Sequence, residues 1–127
     1  MVTDVTDGLP EQIPGAVADL PIDEIPGNSV VLRLGENSYV VYAHLQSGSI
    51  TVVPGQTVQA GTPLGLLGNS GGTTAPHLHI HVVNGPSASS DDGVPYVFDS
   101  FGLAGTAERG ALLPELRPRL PSQHARL

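Results

Sequence analysis

The stretch that decides the fold is SVVLRLGENSYVVYAHL, residues 29–45. It contains two runs rich in β-branched and aromatic side chains, residues 29–34 and 38–45, and this composition favours strands. The residues between the runs, Gly35, Glu36 and Asn37, have the length and chemistry of a hairpin turn. The segment therefore predicts two antiparallel strands joined by a short turn.

Shorter apolar runs separated by turn residues extend this β pattern in both directions. Upstream, residues 1–28 are acidic and proline-rich, with one short strand possible at residues 2–5. Downstream, turns at Pro54-Gly55 and Gly61 and the glycine-rich loop GNSGG at 68–72 separate apolar runs at residues 50–53, 57–60 and 63–67. Residues 78–83 are predicted to form another strand, and residues 96–101 are a last apolar run. No segment of useful length has helical periodicity, so we expect an all-β domain with an antiparallel sheet.

Length and composition limit the domain count and the class of partner. A chain of 127 residues suffices for one domain, which we place at residues 29–103, followed by a poorly ordered tail at 104–127. The net charge of −7 leaves no basic face for a nucleic acid. No run approaches the roughly 18 apolar residues of a membrane span. The first residues lack the basic and apolar regions of a signal peptide.

Four of the five histidines lie between residues 44 and 81. His77, His79 and His81 alternate with Leu78 and Ile80, so on a strand the three imidazoles share one face and the two aliphatic side chains face the core. Neighbouring histidines of this set lie about 7 Å apart, whereas His77 and His81, about 13 Å apart, are too distant to share one metal easily. Imidazole is a common zinc ligand and a common general base. The pattern therefore indicates a metal or proton-transfer site, with hydrogen-bonded structural histidines as the alternative.

A set of ordered motifs surrounds these histidines. They are YAHL at residues 42–45, V-x-G-x-x-V-x-x-G-x-x-L-G at 53–65, GNSG at 68–71, APHLHIHV at 75–82 and PYVFD at 95–99. Together they resemble the C-terminal half of the LytM/lysostaphin-type zinc metallopeptidases, over roughly residues 28–103. The resemblance implies an antiparallel barrel-sandwich with a groove across its central sheet. It also implies hydrolysis of peptide cross-links in bacterial peptidoglycan, and an extracytoplasmic, periplasmic or cell-envelope location.

The resemblance assigns roles to three histidines. His79 matches a zinc ligand, whereas His44 and His77 match two catalytic histidines beside the metal. Zinc in such a site lowers the pKa of a bound water and polarises the peptide carbonyl. His44 and His77 would orient that water, move protons and stabilise the developing charge. The role of His81 stays open, and His124 falls in the predicted tail.

The chain departs from the family pattern upstream. The family's other two zinc ligands form an H-x-x-x-D motif, but residues 1–43 contain no histidine. A catalytic zinc site normally takes three protein ligands. We therefore expect an N-terminally truncated domain, with residues 1–28 an interior part of it, that alone binds zinc weakly or not at all and cleaves no peptidoglycan. The alternative is a non-catalytic module that binds peptidoglycan or activates an amidase.

Two other families share parts of this pattern. The glycine spacing around Pro54-Gly55 and Ala60-Gly61 resembles lipoyl- and biotinyl-carrier domains, but these attach their cofactor to a lysine and the chain has none. A sugar-phosphotransferase domain of related β architecture also uses paired histidines, yet its characteristic histidine surroundings do not occur here. The metallopeptidase resemblance is therefore the better match.

Overall fold

Four strands form one antiparallel sheet in the order of the chain. The structure is a computed structural model that describes residues 1–16, 19–89, 91–98 and 125–126. The strands are β1 (Val2–Thr6), β2 (Asn28–Gly35), β3 (Ser38–Leu45) and β4 (His79–Val83). Within the described ranges the only helix is a 3-10 turn at Ile22–Glu24. The predicted all-β class is confirmed.

The predicted hairpin is the centre of this sheet. β2 and β3 pair in antiparallel register from Asn28↔Leu45 to Gly35↔Ser38. Asn37 in the turn has a φ of 52°, a left-handed conformation that asparagine tolerates better than most residues. β1 and β4 then add to the two outer edges of the hairpin.

Both faces of the sheet are packed. The five valines at positions 30, 31, 40, 41 and 82 are at most 1% exposed, and on a strand such neighbours point to opposite faces. Val31, Val41, Ala43 and Val83 form a buried cluster on one face. Residues directly opposite in an antiparallel pair share a face. Since Val41 pairs with His81 and Ala43 with His79, these two histidines lie on the face of that cluster.

The sequence prediction for Leu78 is wrong. It lies before β4 begins and its side chain is 44% exposed, whereas Ile80 within the strand is partly buried. His77 also precedes the strand, so the predicted common face holds for His79 and His81 only. The physical reason is that the β3–β4 pairing ends at Ala43↔His79, which leaves residues 77–78 without a partner strand.

The apolar runs between β3 and β4 make no strand but are held by backbone hydrogen bonds. Gln46 N donates to Leu66 O at 2.9 Å and Thr51 N donates to Leu64 O at 2.9 Å. The turn at residues 53–56 closes against β1, because Val2 N donates to Gln56 O and Gly55 N donates to Val2 O. This segment brings the glycine-rich loop back to the end of β3.

The chain divides into two compact units, Met1–Val94 and Pro95–Leu127. In the second, β5 (Tyr96–Val97) pairs in parallel with β6 (Ala125–Arg126). The tail predicted at 104–127 lies, apart from β6, outside the described residues. In the part of the chain that is described, no helix is long and apolar enough to cross a membrane.

Candidate functional site

Three histidines converge at one end of the four-stranded sheet. His44, His77 and His79 each offer a ring nitrogen, and these three nitrogens lie within 4.8 Å of one another. The ring centroids are 4.8 Å apart for His44 and His77, 5.5 Å for His44 and His79, and 6.4 Å for His77 and His79. The structure therefore brings together the three side chains that the sequence assigns to one site.

His44 joins this group through a β-bulge. The pairing of β2 with β3 skips one residue, so that Ser29 lies opposite both Ala43 and His44. His44 itself has a φ of 59°, a left-handed conformation that costs a non-glycine residue about 1–2 kcal/mol. In regular alternation Ala43 and His44 would point to opposite faces. The bulge instead turns the His44 ring towards His79.

Backbone groups hold both the main chain and the ring of His44. Its N–H donates to Pro26 O at 2.9 Å, and its carbonyl accepts from Gly68 N at 3.1 Å. The ring Nδ1 lies 2.8 Å from Ser70 O. Because a carbonyl only accepts, Nδ1 carries the proton, and in the neutral ring Nε2 carries the lone pair.

The surroundings of His44 favour its neutral form. The residue is only 4% exposed. Burial lowers the pKa of His44, the hydrogen bond to Ser70 opposes this effect, and charge on His77 or His79 lowers the pKa further. Its Nε2 is therefore available as a proton acceptor or metal ligand.

The glycine-rich loop at residues 68–72 fixes the Ser70 carbonyl. Ser70 is fully buried, and its hydroxyl donates to Leu45 O at 2.7 Å and accepts from Asn28 N at 2.9 Å. Gly27 packs directly on it: a Cβ at Gly27, where φ is 65°, would lie 2.6 Å from Ser70 Oγ and still closer to the Ser70 carbonyl oxygen. A Cβ on Gly71 would in turn lie 2.5 Å from Ile25 O. Glycine is therefore required at both positions for this close backbone contact.

The same loop orients His77. Its Nδ1 lies 2.9 Å from Ala75 O and 3.2 Å from Thr73 Oγ1, so Nδ1 carries the proton here as well. Thr73 is buried, and its hydroxyl lies 3.2 Å from Asn69 Oδ1. Asn69 is anchored by its own donation to Gln12 O at 2.9 Å. In the neutral ring, His77 thus presents its Nε2 lone pair.

The side-chain pattern of the sequence does not identify three residues that position the histidines, namely Asn69, Ser70 and Thr73. The available signal was the GNSG motif at 68–71, because a glycine-rich loop between two histidine-bearing segments favours close backbone approach. The contact between His44 and Ser70 spans 26 residues of sequence. No local pattern encodes a contact of that range.

His79 and His81 continue the site along β4. His79 is exposed, whereas His81 is partly buried. Their ring centroids are 4.9 Å apart and the ring planes meet at 79°. Burial lowers the pKa of His81, charge on His79 lowers it further, and a hydrogen bond to the Ala88 backbone opposes both effects.

A pocket of about 330 Å³ opens beside the histidines. Its lining includes His44, His79 and His81 together with the exposed side chains of Ile22 and Ile25. The pocket thus places apolar side chains next to imidazole rings, a combination common in ligand-binding sites.

The donor set fits a transition-metal ion. Metal-binding histidines commonly donate their second ring N–H to a backbone carbonyl, and both His44 and His77 do so. Two imidazoles bound tetrahedrally to one zinc at about 2.0–2.1 Å have nitrogens about 3.3–3.4 Å apart, so nitrogens within 4.8 Å must move closer together to bind one ion. Among the described residues no carboxylate belongs to the group.

The sequence is similar to a known family of peptidases. The model of peptidase family M23 matches residues 13–91. The peptidoglycan DD-endopeptidase ShyA of Vibrio cholerae is 42% identical over 57 residues, which are 45% of this chain and 13% of that protein. An uncharacterized metalloprotease of Haemophilus influenzae is 42% identical over 60 residues, 46% of this chain and 12% of that protein. The chain therefore spans only a small part of these relatives.

One solved structure is also similar. It is the catalytic domain, in a mutant form, of the prophage-encoded M23 protein EnpA from Enterococcus faecalis. The identity is 27% and the TM-score 0.48, over 69% of this chain and 67% of that one.

Proposed function

Since the chain belongs to peptidase family M23, we propose that it contributes to a zinc-dependent site that hydrolyses the peptide cross-links of bacterial peptidoglycan. The observation that carries the proposal is the convergence of His44, His77 and His79. The similarity to ShyA, a peptidoglycan DD-endopeptidase, supports this class of substrate. An extracytoplasmic or cell-envelope location follows from that substrate.

In the proposed site His79 is a metal ligand. A zinc ion held there would supply a water of lowered pKa and an electrophile for the peptide carbonyl. His79 is suited to this role because its ring is exposed and lies beside the other two.

His44 and His77 act on protons and charge. Burial lowers the pKa of His44 and so favours its neutral form, in which Nε2 can accept a proton from an attacking water. Once its Nε2 has taken up a proton, the exposed His77 ring can stabilise charge that develops on the carbonyl oxygen, or pass that proton to the departing amine. Both rings are prevented from turning by the carbonyls that accept from Nδ1.

The proposed zinc site lacks two of the family's three protein ligands. No residue matches the H-x-x-x-D ligands, because residues 1–43 contain no histidine. His44 or His77 can assist His79, but then no longer serves as a proton carrier. By itself the chain is therefore expected to bind zinc weakly and to leave peptidoglycan intact.

The test is to restore the missing ligands. A segment with H-x-x-x-D is fused upstream of Met1, and zinc binding is measured by calorimetry and release of peptide fragments from purified sacculi by chromatography. The fusion should gain tight zinc and cleavage, while a matched fusion with alanine at both ligand positions should gain neither. In the active fusion, H79Q should lose zinc and cleavage, whereas H44Q and H77Q should retain zinc and lose cleavage. A submicromolar stoichiometric site in the short chain, abolished by H79A, would contradict the proposed deficiency.

The lack of an H-x-x-x-D motif in residues 1–43 favours a second candidate, a metal-free module that binds peptidoglycan or activates an amidase. Co-sedimentation with sacculi in the presence of a chelator distinguishes the two. If the chain still sediments with sacculi in the presence of the chelator and in H79Q, the result supports the metal-free module. Retention that depends on zinc and His79 supports the peptidase site.

A further inference from the structure

His81 is a partly buried titratable side chain that the proposed chemistry leaves unused. It lies on β4 two residues after His79, on the same face of the sheet, and pairs with the fully buried Val41. Its Nδ1 is buried and has no hydrogen-bond partner in the described part of the chain. Buried side-chain nitrogens are nearly always hydrogen-bonded, so this one calls for an explanation.

The orphaned nitrogen is an acceptor. The Ala88 backbone forms a hydrogen bond with the His81 ring that favours the protonated ring, as a carbonyl does. Because Nδ1 has no partner, we assign the hydrogen bond with the Ala88 backbone to Nε2. In the neutral ring the proton therefore resides on Nε2 and the lone pair on Nδ1.

The ring next to this site is that of His79. The two centroids are 4.9 Å apart and the planes are nearly perpendicular, at 79°. In an edge-on arrangement the N–H of one imidazole can approach the lone pair of the other with a small ring rotation. His79 is exposed, and its ring centroid also lies 5.5 Å from that of His44 and 6.4 Å from that of His77.

We propose that His81 is a positioning residue for His79: its Nδ1 accepts the N–H of His79 and leaves the second nitrogen of His79 free for metal. Each histidine of the site then has its own fixed acceptor, which is Ser70 O for His44, Ala75 O for His77 and His81 Nδ1 for His79. The inference deepens the proposed function and rests on it only for the role of His79 as a metal ligand.

The first test uses the metal-free chain at a constant pH well above the ordinary imidazole pKa. Ring nitrogen chemical shifts of ¹⁵N-labelled histidine report the tautomer of His79. Wild type should show a single neutral tautomer of His79. H81L, which removes the acceptor, should show a mixture of both, and H81N, whose side-chain oxygen can take the place of Nδ1, should restore the single form.

The second test is zinc affinity by calorimetry for the same substitutions in the fusion that carries H-x-x-x-D, with circular dichroism to verify folding. Loss of such a partner typically weakens metal binding about 10–100-fold, so H81L should bind at least about tenfold more weakly than wild type and H81N close to wild type. A mixture of tautomers in wild type, or a single form retained in folded H81L, overturns the proposal. If H81L does not fold, the proposal is judged on the tautomer of His79 in wild type and in H81N.

The two readouts separate this inference from the proposed function. If the tautomer of His79 responds to H81L while neither the wild-type chain nor the restored fusion binds zinc, the positioning role stands and the metal site fails. If zinc binds through His79 with an unchanged tautomer in H81L, the metal site stands and the positioning role fails.

Discussion

The carbonyl of Ser70 accepts the Nδ1 proton of His44 at 2.8 Å, across 26 residues of sequence. This contact joins the glycine-rich loop to the bulge in β3, the two features that deliver His44 to the site. The Ser70 hydroxyl makes two further bonds to the adjoining strands. The position and the tautomer of His44 therefore depend on the packing of a single loop.

Replacement of Ser70 by alanine should destabilise the protein. The variant removes the donor to Leu45 O and the acceptor of Asn28 N at a fully buried position. The loss should be about 1–3 kcal/mol in the free energy of unfolding, measured by urea denaturation. S49A is the matched control, since Ser49 Oγ also donates to a carbonyl and accepts a backbone N–H, but where solvent can replace it. Equal losses in the two variants would contradict the argument.

Substitution of Gly27 by alanine should disturb the site as well as the fold. The new Cβ meets the Ser70 backbone, and overpacking of this kind typically costs about 1–3 kcal/mol beyond the strain of a positive φ. G8A isolates the strain, because Gly8 has a φ of 91° and nothing within 4 Å of the added Cβ. In urea denaturation, G27A should have a clearly lower free energy of unfolding than G8A. The NMR resonances of the His44 ring should shift only in G27A. Similar stabilities would argue against the close contact.

The left-handed backbone at His44 predicts an unusual order of stabilities. H44G and H44A both remove the ring, but glycine adopts a φ of 59° without the penalty that alanine pays. H44G should therefore be more stable than H44A by about 1 kcal/mol, as measured by thermal or urea unfolding. In an ordinary strand alanine is more stabilising than glycine. A more stable H44A would therefore contradict the left-handed backbone and the bulge at His44.

The exposure of Leu78 predicts tolerance at that position. L78Q should change the free energy of unfolding by no more than about 0.5 kcal/mol, the usual range for surface substitutions. V82A, at a valine that is 1% exposed, should cost several times as much because it leaves a cavity. Comparable losses of unfolding free energy in the two variants would indicate that Leu78 is part of the core.

The sequence predicts those features that depend on neighbouring residues. The β2–β3 hairpin follows from two β-branched runs and a short turn, and the common face of His79 and His81 follows from the two-residue period of a strand. The family resemblance, rather than any periodicity, brings His44 into the site. Whether these histidines perform the assigned roles stays a prediction.

Other features depend on tertiary contacts and were not predictable. Strand alternation alone places His44 on the wrong face, because the bulge arises from a skipped pairing opposite Ser29 that no local motif marks. Leu78 belongs to an apolar run that predicts a strand, yet strand β4 begins only at the next residue, His79. The acceptors of the histidine protons, Ser70 O and Ala75 O, are backbone atoms that a side-chain pattern does not reveal.

The direction of β1 determines how far a polypeptide fused before Met1 must extend to reach the histidines. The Met1 amine donates to Arg33 O, while Thr6 pairs with Ser29, so the chain enters at the Arg33 end of β2 and the histidines gather at the Asn28 end. Five residues of β2 separate these ends, a span of about 17 Å. An added ligand pair must therefore be followed by a linker of at least about five extended residues before Met1. Fusions with shorter linkers should stay inert whatever ligands they carry, so activity should appear at a threshold linker length.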